Sequence, residues 1–143
     1  MKIGVKKLEL VEAFAVADFS FFSPGSTIPL ADYISEAATE YKFTPGTGSF
    51  EEDWSEDSGG ILSEISVSVT NREQNDTSDS KFTKAIAGYK IAIVTLLDGR
   101  MKIVGSKNFP AKVSLSTGIT GFDTSEKTLQ ITCRSPHGSY YGR

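Results

Sequence analysis

The sequence predicts a mainly β protein, a β-sandwich or partly closed β-barrel with one short α-helix at about residues 80–87. Three observations carry this. Ile61–Thr70 alternates, with Ile61, Ile65, Val67 and Val69 on one face and Glu64, Ser66, Ser68 and Thr70 on the other, the pattern of a sheet with one wet face. Asp98-Gly99 lies between two apolar runs, a strong short-range hairpin signal. Turn residues recur at intervals that suit short antiparallel strands better than β-α-β units.

The elements follow in order. Leu8–Val16 reads as a strand, since Leu8, Leu10, Phe14 and Val16 share a period-two face that Glu12 interrupts. Phe19, Phe21 and Phe22 crowd one segment that ends at Pro24-Gly25. Residues 17–60 read as extended or loop-like, with a short strand at Glu40–Thr44 stopped by Pro45-Gly46. In Phe50–Trp54, residues Phe50, Glu52 and Trp54 would share a strand face. Five acids among seven residues, Glu51, Glu52, Asp53, Glu56 and Asp57, argue for exposure.

After the polar stretch Asn71–Ser80, Asp79 or Ser80 can cap a helix, with Phe82, Ile86 and Tyr89 at helical spacing and Gly88 at its C-terminal end. Tyr89–Leu97 and Arg100–Gly105 form the hairpin. A two-residue type I′ turn would pair Leu97 with Arg100, Leu96 with Met101 and Val94 with Ile103, putting Leu96, Val94, Met101 and Ile103 on one core face. Ala111–Thr117 alternates with Lys112 outward. Thr128–Arg134 closes a single domain of 143 residues, and the tail from Ser135 reads as a loop.

Composition narrows the chemistry. A chain of this length buries roughly 70% of its unfolded surface and needs no staples. One cysteine, Cys133, excludes an internal disulfide framework and a cysteine-based zinc site. Cys133 shares an apolar face with Leu129 and Ile131 and reads as a core residue. The one histidine, His137, reads as an exposed tail residue. The acidic run at 51–57 is contiguous, whereas glycosidase carboxylates face each other across a cleft. Asp76–Asp79 lacks the spacing of a calcium loop, and Gly46-Thr47-Gly48 is too short for a phosphate loop. The sequence therefore predicts no enzyme, no cofactor and no metal. The N-terminus shows no continuous apolar leader, and no run approaches a membrane span.

Charge divides along the chain. Residues 1–80 carry 15 acidic and 5 basic residues (net −10), and residues 81–143 carry 3 and 10 (net +7), which sum to −3. The balance is unlike the basic excess of a dedicated nucleic-acid binder. Opposite patches on one chain favour head-to-tail association, which closes into rings or continues as filaments. The candidate interface is the acidic segment Phe50, Glu51, Glu52, Asp53, Trp54, Glu56 and Asp57, together with the basic positions Lys90, Arg100, Lys102 and Lys112. Trp54, amid charge, is expected to be buried by a second subunit.

The stretch with Gly88, Ile91–Thr95, Asp98-Gly99-Arg100, Ile103–Ser106, Pro110, Thr117-Gly118, Leu129–Thr132 and Tyr140-Tyr141 resembles small proteins encoded by tailed phages and prophages of Bacteroidetes-type bacteria. The resemblance spans residues 88–143. It implies a virion component, a tail-tube or head–tail connector protein, that forms homo-oligomeric rings or stacked rings with other phage structural proteins. Its location would be the virion, or the host cytoplasm during assembly. The alternatives are a carbohydrate-binding β-sandwich module with Trp54 as platform, and an OB-like single-strand binder, which needs aromatics in a basic groove.

Overall fold

A computed structural model describes residues 2–19, 21–23, 25–57, 60–71, 88–120 and 124–143. The expected helix at 80–87 lies outside them. The described chain is mainly β. Ten strands form one sheet that does not close into a barrel: β1 (Lys2–Glu12), β2 (Thr27–Ile28), β3 (Thr39–Glu40), β4 (Ser49–Asp57), β5 (Gly60–Asn71), β6 (Lys90–Leu96), β7 (Met101–Val104), β8 (Lys112–Thr120), β9 (Thr124–Ser135) and β10 (Tyr140–Gly142). The order is β2-β10-β7-β6-β1-β4-β5-β9-β8, with β3 also beside β1.

β1 organises the sheet. Its first residues pair with β4 (Lys2↔Glu51, Gly4↔Ser49), and the rest pairs with β6 (Val5↔Leu96 through Glu12↔Lys90). The register shifts between Val5 and Lys7. Such an irregularity bends a strand and increases its twist, so β1 serves two differently oriented halves. One half is β4-β5-β9-β8, and the other is β3-β1-β6-β7-β10-β2.

Alternation then builds the core. Phe50, Val67, Ile131 and Val113 are successive partners across β4, β5, β9 and β8, and all are buried. They join Leu8, Leu10, Ala92, Val94 and Leu96 of the other half in one cluster. A second cluster lies on the opposite face of β6. There Val11, Ile91, Ile93, Ile103 and Tyr140 pack under Ala15, Val16, Phe19, Ile28 and Leu30 of the irregular layer. Phe19 is fully buried, edge-on to Tyr140 at 5.6 Å. β6 is thus buried on both faces, which explains its unbroken apolar run Ile91–Val94.

Two expectations are corrected here. The β6–β7 register is Thr95↔Met101 and Ile93↔Ile103, one residue from that expected. The loop holds three residues, Leu97–Gly99. Gly99 N–H donates to the Leu96 carbonyl at 2.9 Å and adopts φ 92°, the geometry of a type I turn followed by a left-handed glycine. The slip sends Met101 and Ile103 to the second cluster while Val94 and Leu96 face the first. The tail is not a loop either. Tyr140–Gly142 is β10, antiparallel to β7 and parallel to β2.

Candidate functional site

The predicted interface residues divide among four places. Phe50 is core, 2% exposed. Lys90 is buried at 4% exposure and paired with the Glu12 carboxylate beside it on β1. Both lie inside the monomer, contrary to the expectation that they face a partner. The reason is register: Lys90 shares the inner face of β6 with Ala92 and Val94, a side that the periodicity of a doubly buried strand does not reveal.

Glu51 and Asp53 point from β4 to the outer face of the β4-β5-β9-β8 half. In register beside them lie Ser66, Thr132 and Lys112 in one row, and Glu64 and Arg134 in the next. These residues line a groove of about 600 Å³ with Pro110 at its side. Glu64 and Arg134 form an ion pair at 2.8 Å. Glu51, Asp53 and Lys112 form none among the described residues. The acidic pair stands on β4 and Lys112 on β8, three strand spacings or about 14 Å apart. That separation exceeds a Debye length of about 8 Å at physiological salt. The acidic and basic sides therefore do not neutralise each other.

Glu52 and Trp54 occupy the other face of β4 and meet the tail. Glu52 accepts hydrogen bonds from the Ser139 N–H (3.0 Å), the Ser139 hydroxyl (2.7 Å) and the Ser63 hydroxyl (3.3 Å). The Trp54 indole lies over Gly138, where a Cβ would fall 2.5 Å from it. Trp54 still leaves 49% of its surface exposed, beside Ile61 at 60% on the same face of the β4–β5 hairpin. Glu56 stands further out opposite Ile61, and Asp57 ends the strand opposite Gly60. Arg100 pairs with Asp98 at 2.6 Å in the hairpin turn, and Lys102 lies 3.9 Å over the Tyr141 ring. The basic positions are therefore distributed, with Lys90 inside, Lys112 on the outer face, and Arg100 and Lys102 on the β6–β7 hairpin.

His137, expected to be exposed, is buried. Its ring stacks on Tyr140 at 4.9 Å and meets Phe109 edge-on at 5.6 Å. Nδ1 lies 2.8 Å from the Gly138 carbonyl and Nε2 lies 3.2 Å from the Ser106 hydroxyl. A carbonyl only accepts, so Nδ1 carries the proton, and in the neutral ring Nε2 accepts from Ser106. This has the form of a Ser–His dyad, but Ser106 is fully buried and its Oγ also accepts the Phe109 N–H. Among the described residues the hydroxyl is enclosed, and the arrangement fastens the 106–109 turn to the tail. Cys133 is buried as expected. Desolvation, then the charge of Glu52, pushes its thiol up to about 11.

A smaller cavity of about 360 Å³, unforeseen from sequence, opens in the irregular layer between Phe14, Val16, Tyr33, Asp32 and Lys107. Phe14 at its rim is 76% exposed and Phe21, which stacks on Phe22, is 71% exposed.

The edges of the outer-face half are open. Among the described residues, Ala111 just before β8 exchanges two backbone hydrogen bonds with Lys90 of β6, and no backbone partner lies beyond β8 from Lys112 onward, or along β4 past Glu51 on its β1 side. Comparison with known proteins finds no matching family, no matching characterised protein and no matching solved structure.

Proposed function

We propose that this protein is a structural subunit that assembles head to tail into rings or stacked rings, as a tail-tube or connector component of a tailed phage would. The observation that carries the assembly reading is the division of charge between the two sides of one sheet face. Glu51 and Asp53 stand on β4, with Lys2 of β1 in register beside Glu51, and Lys112 stands on β8, and among the described residues none of the three acidic and basic groups on β4 and β8 forms an ion pair. Strand direction supports it as well. β4, β5, β9 and β8 alternate in direction. A β8 edge laid against the β4 edge of a like-oriented copy is therefore antiparallel and continues the alternation. Such a contact uses two different patches, and repetition gives a ring or a filament. The bent sheet enclosing one core would be the sandwich of such a subunit. The virion role rests on the resemblance of residues 88–143, and its partners would be further copies and other phage structural proteins.

The test is native mass by sedimentation at about 50 mM and about 500 mM salt, which changes the screening length severalfold. The expected result is a ring or polymer at low salt that loosens at high salt. A monomer at high concentration and low salt overturns the reading.

One observation favours a second reading, a carbohydrate-binding module. The outer face carries hydroxyl and charged groups around the 600 Å³ groove. Trp54 is on the opposite face, so it would not be the platform there. Titration of a glycan panel followed by amide chemical shifts of Ser66 and Thr132 separates this reading from assembly.

A further inference from the structure

Resting on the assembly reading, we infer that copies join by main-chain strand addition: β8 of one copy fills the open edge of β4 in the next, in line with β1, so that Trp54 and Glu56 hydrogen-bond to Ile119 and Thr117.

The free main-chain groups on the two edges are in phase. Successive residues of a strand direct their N–H and C=O to opposite sides. Ala111 exchanges hydrogen bonds of 2.8 and 3.0 Å with Lys90, on the side of the strand away from β9. Val113, Leu115, Thr117 and Ile119 therefore address that same side, where no described strand lies. On β4, the Gly48 carbonyl accepts the Val5 N–H at 3.1 Å. Phe50, Glu52, Trp54 and Glu56 therefore address the β1 side. β1 covers this edge only from Gly4 at Ser49 to Lys2 at Glu51, and the edge beyond is open among the described residues. On both edges the bonding residues belong to the core face, which holds Phe50, Ala111 and Val113. Antiparallel pairing sets such residues directly opposite each other on one face. An added β8 therefore continues the core face of the next copy without a slip.

The strand ends set the register. An added β8 runs in the direction of β1, toward Lys2. With its last residue, Thr120, opposite Asp53 it stops short of β1. Ile119 then lies opposite Trp54, Thr117 opposite Glu56 and Ser116 opposite Asp57. A shift of two residues further would bring Thr120 to Glu51, where Lys2 already pairs, and a shift of one breaks the phase.

The edges are also defended unequally. Natural edge strands are kept short, charged, bulged or interrupted by proline. β2, at the far end of the sheet, has two residues. The open part of β4 carries Glu52, Asp53 and Glu56, which oppose pairing of β4 with itself. β8 has nine residues in unbroken register with β9, no proline, and one charged residue, Lys112, at its start. It sets no like charge against the acids of β4. Addition also places a strand beside Trp54, 49% of whose surface is exposed in the single chain.

The test is hydrogen exchange of the full chain at about 50 mM and about 500 mM salt, quenched and read by NMR on dissociated chains. In the assembled protein the amides of Trp54, Glu56, Thr117 and Ile119 should slow by at least about tenfold. Those of Ser55, Ser114 and Ser116, which already face β5 or β9, should change little. An Asp57→Cys/Ser116→Cys protein, oxidised at low salt, should give a disulfide ladder on a non-reducing gel, because a non-hydrogen-bonded pair brings side chains closest. Asp57→Cys/Leu115→Cys, with its cysteines on opposite faces, should not. Protection of Thr117 and Ile119 without Trp54 and Glu56 would mean that β8 pairs with itself, and overturns the inference. Assembly with all four amides unprotected overturns strand addition and leaves ring assembly standing. A protein that is monomeric at high concentration and low salt overturns both.

Discussion

The Glu52 carboxylate on β4 holds Ser139 by both its backbone N–H, at 3.0 Å, and its hydroxyl, at 2.7 Å, 87 residues along the chain. This clasp fixes the turn between β9 and β10. Hydrogen bonds to a charged group contribute about 1.5–3 kcal/mol, and Glu52 is only partly buried. Glu52→Ala should therefore lower unfolding free energy in urea by about 1–2 kcal/mol. Trp54 covers the same turn, so its emission should shift to the red. Unchanged stability and emission would show that the clasp holds nothing.

Gly138 and Gly25 offer a matched comparison. Both have positive φ, 70° and 81°. A Cβ at Gly25 meets nothing within 4 Å, whereas at Gly138 it falls 2.5 Å from both the Glu52 carboxylate and the Trp54 ring. Gly25→Ala should cost only its backbone strain, about 1 kcal/mol. Gly138→Ala adds displacement of the indole and should cost clearly more. Equal melting temperatures for the two variants would contradict this packing.

The buried Lys90 depends on Glu12, since Lys90 is 6% exposed at its side chain against 37% for Glu12. Removing the carboxylate leaves a buried ammonium, so Glu12→Ala should destabilise by about 1–3 kcal/mol. Lys90→Met replaces the charge with a similar volume and should be close to neutral. Chemical denaturation of both variants checks the asymmetry.

Cys133 sets an alkaline limit. Its thiol rises from an ordinary 9.0 to about 11 in the folded protein, first through burial and then through the charge of Glu52. The folded state binds the proton more tightly than the unfolded chain does. The resulting stability is complete below pH 9 and is lost as pH rises toward 11. Tyr41 and Tyr140 are also raised by burial, with further contributions from Glu12 and Asp18 respectively, and extend the decline. The urea midpoint of the wild type should fall across this window, and Cys133→Ala should flatten the early part. Native protein at pH 8 should react slowly with a thiol reagent and quickly in denaturant.

Legibility in the sequence followed exposure. β5 and β9 have one wet face, so their alternation named the core residues Ile65, Val67, Val69, Leu129, Ile131 and Cys133, while Ile61 on the same face lies at the strand end beyond the core and is 60% exposed. β6 is buried on both faces, so its run carried no period and could not place Lys90 or fix the register against β7. The aspartate–glycine signal located the hairpin, but a two-residue and a three-residue loop share that signal and differ by one residue in pairing. His137 in a proline- and glycine-flanked tail looked exposed because the aromatic rings that cover it, Phe109 and Tyr140, approach only through tertiary packing.

By itself, the sequence determined the β class, the strands with a wet face and the unequal distribution of charge, since each is written in local composition and spacing. Only the tertiary structure decided what that charge could do. Strand order carried Glu51 and Asp53 to the β4 side of a sheet face and Lys112 to the β8 side, while it turned Lys90 and Phe50 inward. Strand neighbours are set by long-range pairing, and residues 51 and 112 share a row because β5 and β9 lie between them.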